Sequence, residues 1–121
     1  MYPCAPIPLR SYFTDRNSSL LEILQAEVPG ARWVKAFNSV GAEMMVNPAL
    51  PGGPPTMFIC GDDTEAKAVI AAICVAFGWD PLDMGVAAAA RAIEPLCQLW
   101  CIPAMTKGER TWGAFKFLKS A

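Results

Sequence analysis

Apolar positions along the chain change period several times, and each change marks an element. Leu20, Leu21, Leu24 and Val28 recur at helical spacing behind Ser19, with Glu22 three residues after that serine. This is a capping box, in which the serine oxygen and the glutamate satisfy the first free amides of a helix. Pro29-Gly30 stops it. Trp33 to Phe37 is a short apolar run read as a first strand, ending at Asn38-Ser39, and a short helix follows to about Val46. Pro48–Thr56, with four prolines and two glycines, is a loop. Met57-Phe58-Ile59-Cys60 is continuously apolar, the pattern of a strand covered on both faces. Gly61 ends it, and Asp62 or Asp63 caps a helix over 64–77, with Glu65 at capping-box distance from Asp62.

That helix predicts one face of Ala66, Val69, Ile70, Ile73, Cys74 and Phe77. Its other face, Lys67, Ala68, Ala71, Ala72 and Val75, is small and mostly uncharged, so a second helix, a subunit or solvent could lie there. Gly78 ends the helix, and Pro81 to Gly85 reads as a third short strand and turn. Val86 to about Ile102 is helical in composition, with Pro95 in its interior. A proline there costs about 3 kcal/mol, which predicts a break near Glu94-Pro95. The tail from Trp112 to Ser120 reads as a terminal strand or a short helix.

Helices alternating with strands define an α/β fold: a Rossmann-like parallel sheet of about three strands flanked by helices. Residues 1–17, rich in proline, form an irregular arm, and 18–121 form the domain.

Composition narrows the function. The chain has 121 residues, 54% of them hydrophobic and 17% charged, enough apolar material for a core and for a surface shared with a partner. A net charge of −1 offers no basic patch for nucleic acid or an anionic membrane. The longest apolar run, Ala68 to Phe77, is too short to cross a bilayer. Five cysteines without a C-x-x-C pair fit reduced thiols in a cytoplasm. Histidine is absent, which removes the commonest general base and most catalytic zinc sites. Cys97 and Cys101 share a helix face without a third ligand, so no metal site is expected.

Several positions admit two readings. Asn38-Ser39 is either an ordinary helix cap or a strand-end site binding ligand through the asparagine amide and the first helical N–H groups. Lys35, inside an apolar strand, is an edge contact with solvent or a cation beside a ligand anion. Gly61-Asp62-Asp63 is a cap or a strand-end acid for a ribose or metal. Arg91 and Glu94 pair along their helix, or an Arg–Glu pair ties that helix to the sheet. No G-x-G-x-x-G follows any strand.

The blocks "VKAFNSVGAEMM", "MFICGDDTEAKAVIAA", "GWDPLDMG" and "AARAIEPLCQLW" resemble, in order and spacing, the second half of the NADP oxidoreductases dependent on the deazaflavin coenzyme F-420, and of the predicted dinucleotide-binding reductases built like them. The resemblance covers about Ser19 to Leu118. It implies that Trp33 to Val40 faces the nicotinamide and deazaflavin rings, with Lys35, Asn38, Ser39 and Val40 as cofactor-binding candidates. Asn38 would stand where the deazaflavin enzymes can carry a histidine, and Val40 would be the apolar residue near the rings. Asp83, Gly85, Arg91 and Glu94 match the block "D-x-G…A-R-x-x-E", implied to hold the fold and line the far side of the cleft. The family's first half, with its glycine-rich diphosphate loop, has no counterpart in these residues.

A sheet without that half bares an edge, which predicts a homodimer. The function expected is a truncated, reductase-derived, non-catalytic binding or partner module with a small-molecule or nucleotide ligand. The alternative is an oxidoreductase linked to NADP(H) and a deazaflavin or flavin, its site completed by a second chain. Hydride transfer leaves the chemistry to the cofactor, so the absence of histidine does not exclude it.

Overall fold

The computed structural model describes residues 12–109 and 113–120. Residues 1–11 of the expected arm, and Trp112 of the tail, lie outside them. In chain order the elements are α1 (Leu20–Glu27), a 3-10 turn at Ala42–Met44, β1 (Thr56–Ile59), α2 (Thr64–Ala76), β2 (Asp80–Asp83), a 3-10 turn at Ala87–Ala89, and α3 (Ala90–Lys107).

The α/β class stands. β1 and β2 pair in parallel, Thr56 opposite Asp80 and Ile59 opposite Asp83, joined by α2 as a βαβ unit. Among the described residues the sheet has two strands rather than about three. Trp33 to Phe37 is not a strand: it touches β1 through one antiparallel bridge, Lys35 to Cys60, with hydrogen bonds of 2.9 and 3.2 Å. The cause is local. Phe37 sits at φ 53°, a left-handed conformation that costs a bulky residue free energy and bends the chain away. It is held there by its amide on Met57 Sδ at 3.0 Å. Its ring also lies 5.8 Å from that of Phe77 and 6.4 Å, edge-on, from that of Trp79. The helix expected after Asn38 is likewise only the 3-10 turn.

Because side chains alternate along β1, the strand feeds two cores. Met57 and Ile59 pack with Cys74 of α2 and with Trp79. Cys60, just past the strand, packs on the opposite face with Leu21 of α1, Ala87, and Ala90 and Ile93 of α3, and Phe58 leans on the same cluster. α2 thus covers one face of the sheet, α1 and α3 the other.

The terminations follow residue chemistry. Ser19 caps α1, accepting from the Glu22 amide. Asp63 caps α2, accepting from the Ala66 amide at 2.8 Å. Gly78 ends α2 at φ 93°, a conformation glycine adopts freely. Glu65 does not complete a box with Asp62, since the cap falls one residue later, on Asp63, and Asp62 accepts from the Ala87 amide instead.

Two further expectations change. α3 runs unbroken past Pro95 and Pro103. Around Pro95 tertiary bonds hold the helix in place: Asn38 on the Ile93 carbonyl, Tyr12 on the Pro95 carbonyl, and the Glu94 carboxylate on α1. The tail over 113–120 is neither strand nor helix. It lies extended beside β1, where the Thr56 amide donates to the Phe115 carbonyl and the Phe117 amide to Thr56 Oγ1, each at 2.9 Å.

Candidate functional site

The segment from Lys35 to Val40 crosses from one core to the other, and its four candidate residues diverge. Lys35 reaches α3, its Nζ 3.5 Å from Glu94 Oε2, with both side chains mostly buried. It is neither an edge contact with solvent nor a free cation. Val40 turns the other way and packs on the Met57, Ile59, Cys74 and Trp79 cluster. Asn38 and Ser39 stay together beside a cavity, lined also by Thr56, Met57, Phe58, Trp79, Ile93 and Phe115. Its volume is about 10 Å³, room for one water at most.

Asn38 is committed within the fold. Its Nδ2 donates to the Ile93 carbonyl at 2.6 Å and lies 3.4 Å from the Glu94 carbonyl and from Ser39 Oγ. The asparagine thus acts as an amide brace against α3 and caps no helix.

Glu94 is the centre of the neighbouring network. Besides Lys35, its carboxylate accepts the amides of Leu20 and Leu21 at 2.8 and 3.0 Å. These are the first free donors of α1, where a negative charge is favourable. Arg91, one turn earlier, forks onto Glu22 of α1 at 2.7 to 3.2 Å. The Arg91 guanidinium, followed by the Ser19 hydroxyl, holds the Glu22 carboxyl below its ordinary value. Arg91 and Glu94 therefore do not pair with each other; side by side, they clamp α3 to α1. The sequence exposed both residues, but their partners are some seventy positions away and leave no local signal.

The acids after β1 are also structural. Asp62 accepts from the Ala87 amide at 2.9 Å and from Gln25 Nε2 at 2.8 Å, contacts that lower its pKa in that order. Lys67 lies 3.1 Å from Asp83 and donates to the Gly85 carbonyl. Asp83, Gly85, Arg91 and Glu94 thus all contribute to holding the fold. Burial pushes the Cys60 thiol up to about 11, which keeps it protonated and unreactive. Among the described residues no buried side-chain nitrogen or oxygen lacks a partner, and no cluster of three or more acids, cysteines or histidines could hold a metal.

Roomier spaces lie elsewhere. A recess of about 300 Å³ is lined by Tyr12, Asp15, Arg16, Ser18, Arg91 and Glu94 among others. An open groove of about 610 Å³ runs past Glu22, Gln25, Arg32, Trp33, Asp62 and Asp63. Ligand pockets usually measure about 300–1,000 Å³ and close over most of their ligand. The space at Asn38 is far smaller, and the residues there do not form a cradle for a dinucleotide in this arrangement.

A parallel βαβ unit between helical layers, with Asn38 turned onto the carbonyls of α3, defines a small Rossmann-like α/β domain. No family model matches the chain. Structural comparison finds a protein from Arthrobacter sp. FB24, proposed to be an F-420-dependent NADP-reductase, with a TM-score of 0.77 and 32% identity over 85% of this chain and 47% of that one. A hypothetical protein of Sinorhizobium meliloti aligns with a TM-score of 0.52 and 29% identity, over 83% of this chain and 43% of its own. The metalloreductase STEAP3 of Rattus norvegicus is 39% identical over 99 residues, 75% of this chain and 19% of that protein. Over the matched residues the chain is similar to part of the F-420-dependent NADP reductase-like proteins, and it spans under half the length of these relatives. No helix among the described residues is long and apolar enough to cross a membrane.

Proposed function

We propose that this chain is a reductase-derived binding or partner module that works as a dimer and performs no chemistry by itself. One observation carries the reading. The groups that would meet a cofactor are already used inside the fold, Asn38 on the α3 carbonyls and Lys35 on Glu94, around a space of about 10 Å³. Its setting is a cytoplasm, where the free thiols at Cys60, Cys74, Cys97 and Cys101 stay reduced. Any ligand it takes is a small molecule or nucleotide other than NADP(H) or a flavin, since a net charge of −1 suits neither nucleic acid nor an anionic membrane.

A second reading is favoured by the relatives: an oxidoreductase linked to NADP(H), with a deazaflavin or flavin, whose cofactor site a second chain completes. In it, Lys35, Asn38, Ser39 and Val40 are the residues facing the cofactor.

Titration of NADPH, NADP and FMN against tryptophan fluorescence separates the two readings. The module reading expects no saturable response from the purified chain at millimolar ligand. Submillimolar binding that weakens in Asn38→Leu overturns it and establishes the second.

A further inference from the structure

We propose that Cys97 and Cys101 form a two-coordinate site for a soft monovalent metal ion of the Cu(I) type. The site lies on α3, apart from the cavity at Asn38, and stands whether or not the chain dimerises or takes an organic ligand.

The two thiols are four residues apart in the middle of a continuous helix, so they share a face with their Cβ atoms about 5–6 Å apart. Both side chains are half-buried and within reach of an ion from solvent, whereas Cys60 and Cys74 are buried completely. The pair is in contact. Burial first, then the charge of Cys97 and a hydrogen bond between the two sulfurs, raise the pKa of Cys101. As a protonated thiol it is a poor nucleophile, which sets the pair apart from a catalytic cysteine.

A disulfide does not suit these positions. It needs Cβ atoms about 3.5–4.5 Å apart, closer than one helical turn allows, and this turn is pinned. Gln98 Nε2 donates to the Tyr12 hydroxyl at 3.0 Å and Trp100 Nε1 to the Gly113 carbonyl at 2.9 Å, so the backbone between the thiols is held against unwinding. An atom placed between the sulfurs meets no such obstacle. With metal–sulfur bonds of about 2.3 Å, a linear S–M–S unit spans about 4.6 Å, a separation that thiols on adjacent turns reach by rotation about χ1.

Ligand number and softness name the ion. Among the described residues no third cysteine or carboxylate joins the pair, so neither four-coordinate Zn(II) nor six-coordinate Mg(II) finds its ligands here. Two thiolates alone are the donor set of a closed-shell soft ion, and thiolates select Cu(I). Met105, one turn beyond Cys101, lies about 12 Å from Cys97 along the helix axis, too far to share one ion with it. Binding replaces two S–H bonds by two S–Cu bonds, releases two protons to solvent and transfers no electron. The cation also removes the repulsion between two neighbouring thiolates.

The full chain, reduced and kept free of oxygen, is titrated with Cu(I) held by bicinchoninate, whose colour falls as the protein takes the ion, and separately with Zn(II). The expected result is transfer of a single Cu(I) per chain with a rise in Tm, and no comparable retention of Zn(II). Changes outside a ligand shell already cost up to about 100-fold in affinity, so Cys97→Ser and Cys101→Ser should each lose at least about 100-fold, with unchanged far-ultraviolet circular dichroism. Cys97→Ala and Cys101→Ala replace the serine variants if a hydroxyl unsettles the helix. Cys4→Ser and Met105→Leu should keep the wild-type affinity. No transfer of Cu(I), or transfer that survives both substitutions at Cys97 and Cys101, overturns the site. Loss in Cys4→Ser or Met105→Leu overturns its two-coordinate geometry, and Zn(II) held as firmly as Cu(I) overturns the choice of ion.

Discussion

Removing the carboxylate of Glu94 tests how α1 is attached. In Glu94→Ala, the amides of Leu20 and Leu21 lose acceptors now at 2.8 and 3.0 Å, and Lys35 loses a partner at 3.5 Å. Each hydrogen bond to a charged group contributes about 1.5–3 kcal/mol, and an unpaired buried charge adds a penalty. The Glu94 and Lys35 side chains are 14% and 21% exposed, so water recovers part of this loss. A net destabilisation of about 2–4 kcal/mol follows once that recovery is allowed for. For a domain of this size it lowers Tm by about 8–15 °C. Glu94→Gln keeps one acceptor and most of the shape, and should lose about half as much. Urea denaturation followed by tryptophan fluorescence, with thermal melts by circular dichroism, measures both. If Glu94→Ala lies within about 0.5 kcal/mol of wild type, the range of a neutral surface change, the assignment of Glu94 as the α1 anchor is refuted.

The other predictions use the same measurements. Asn38→Asp replaces a donor by a carboxylate facing the Ile93 and Glu94 carbonyls and should cost about 2–3 kcal/mol; a neutral result means the amide brace is dispensable. Gly61→Ala places a Cβ 2.6 Å from the Trp33 carbonyl oxygen and should cost about 1–3 kcal/mol through backbone displacement, read as a lower denaturation midpoint. Glu22, Asp62 and Asp80 have pKa values held below their ordinary 4.5 and 3.8 by hydrogen bonds and cations. Their stabilisation is present above those ordinary values and is lost as pH falls through the lower folded-state ones. Stability should therefore be level above about pH 5 and fall below about pH 4, with a shallower fall in Asp62→Asn; equal slopes would remove Asp62 from the account.

Elements defined by local chemistry were readable from the sequence. The Ser19 cap, the apolar strand before Gly61, the Asp63 cap and the stop at Gly78 each depend on residues within a few positions. The failures depend on distant contacts. Phe37 is turned out of a strand by Met57, Phe77 and Trp79, and no window around Trp33 contains them. Pro95 should break α3, but bonds from Tyr12, Asn38 and α1 hold that turn together. Along α2 the period was visible but its phase was not. Alanine fits either side, and Lys67 turns inward because Asp83 and the Gly85 carbonyl receive it. At the candidate site the sequence singled out Asn38, Lys35, Arg91 and Glu94. Who partners whom is set by the approach of α1 and α3.

The grip of Asn38 on α3 has a consequence for any molecule that would use it. One N–H of this amide is given to the Ile93 carbonyl at 2.6 Å and the other faces the Glu94 and Ser39 oxygens at 3.4 Å, so a newcomer that takes the first hydrogen displaces α3. Recruitment of Asn38 and loosening of α3 are thus one thermodynamic event, and apparent affinity is reduced by whatever fraction of molecules keeps the helix seated. Whatever draws α3 away from the sheet acts as an activator of this position, with no need to touch it.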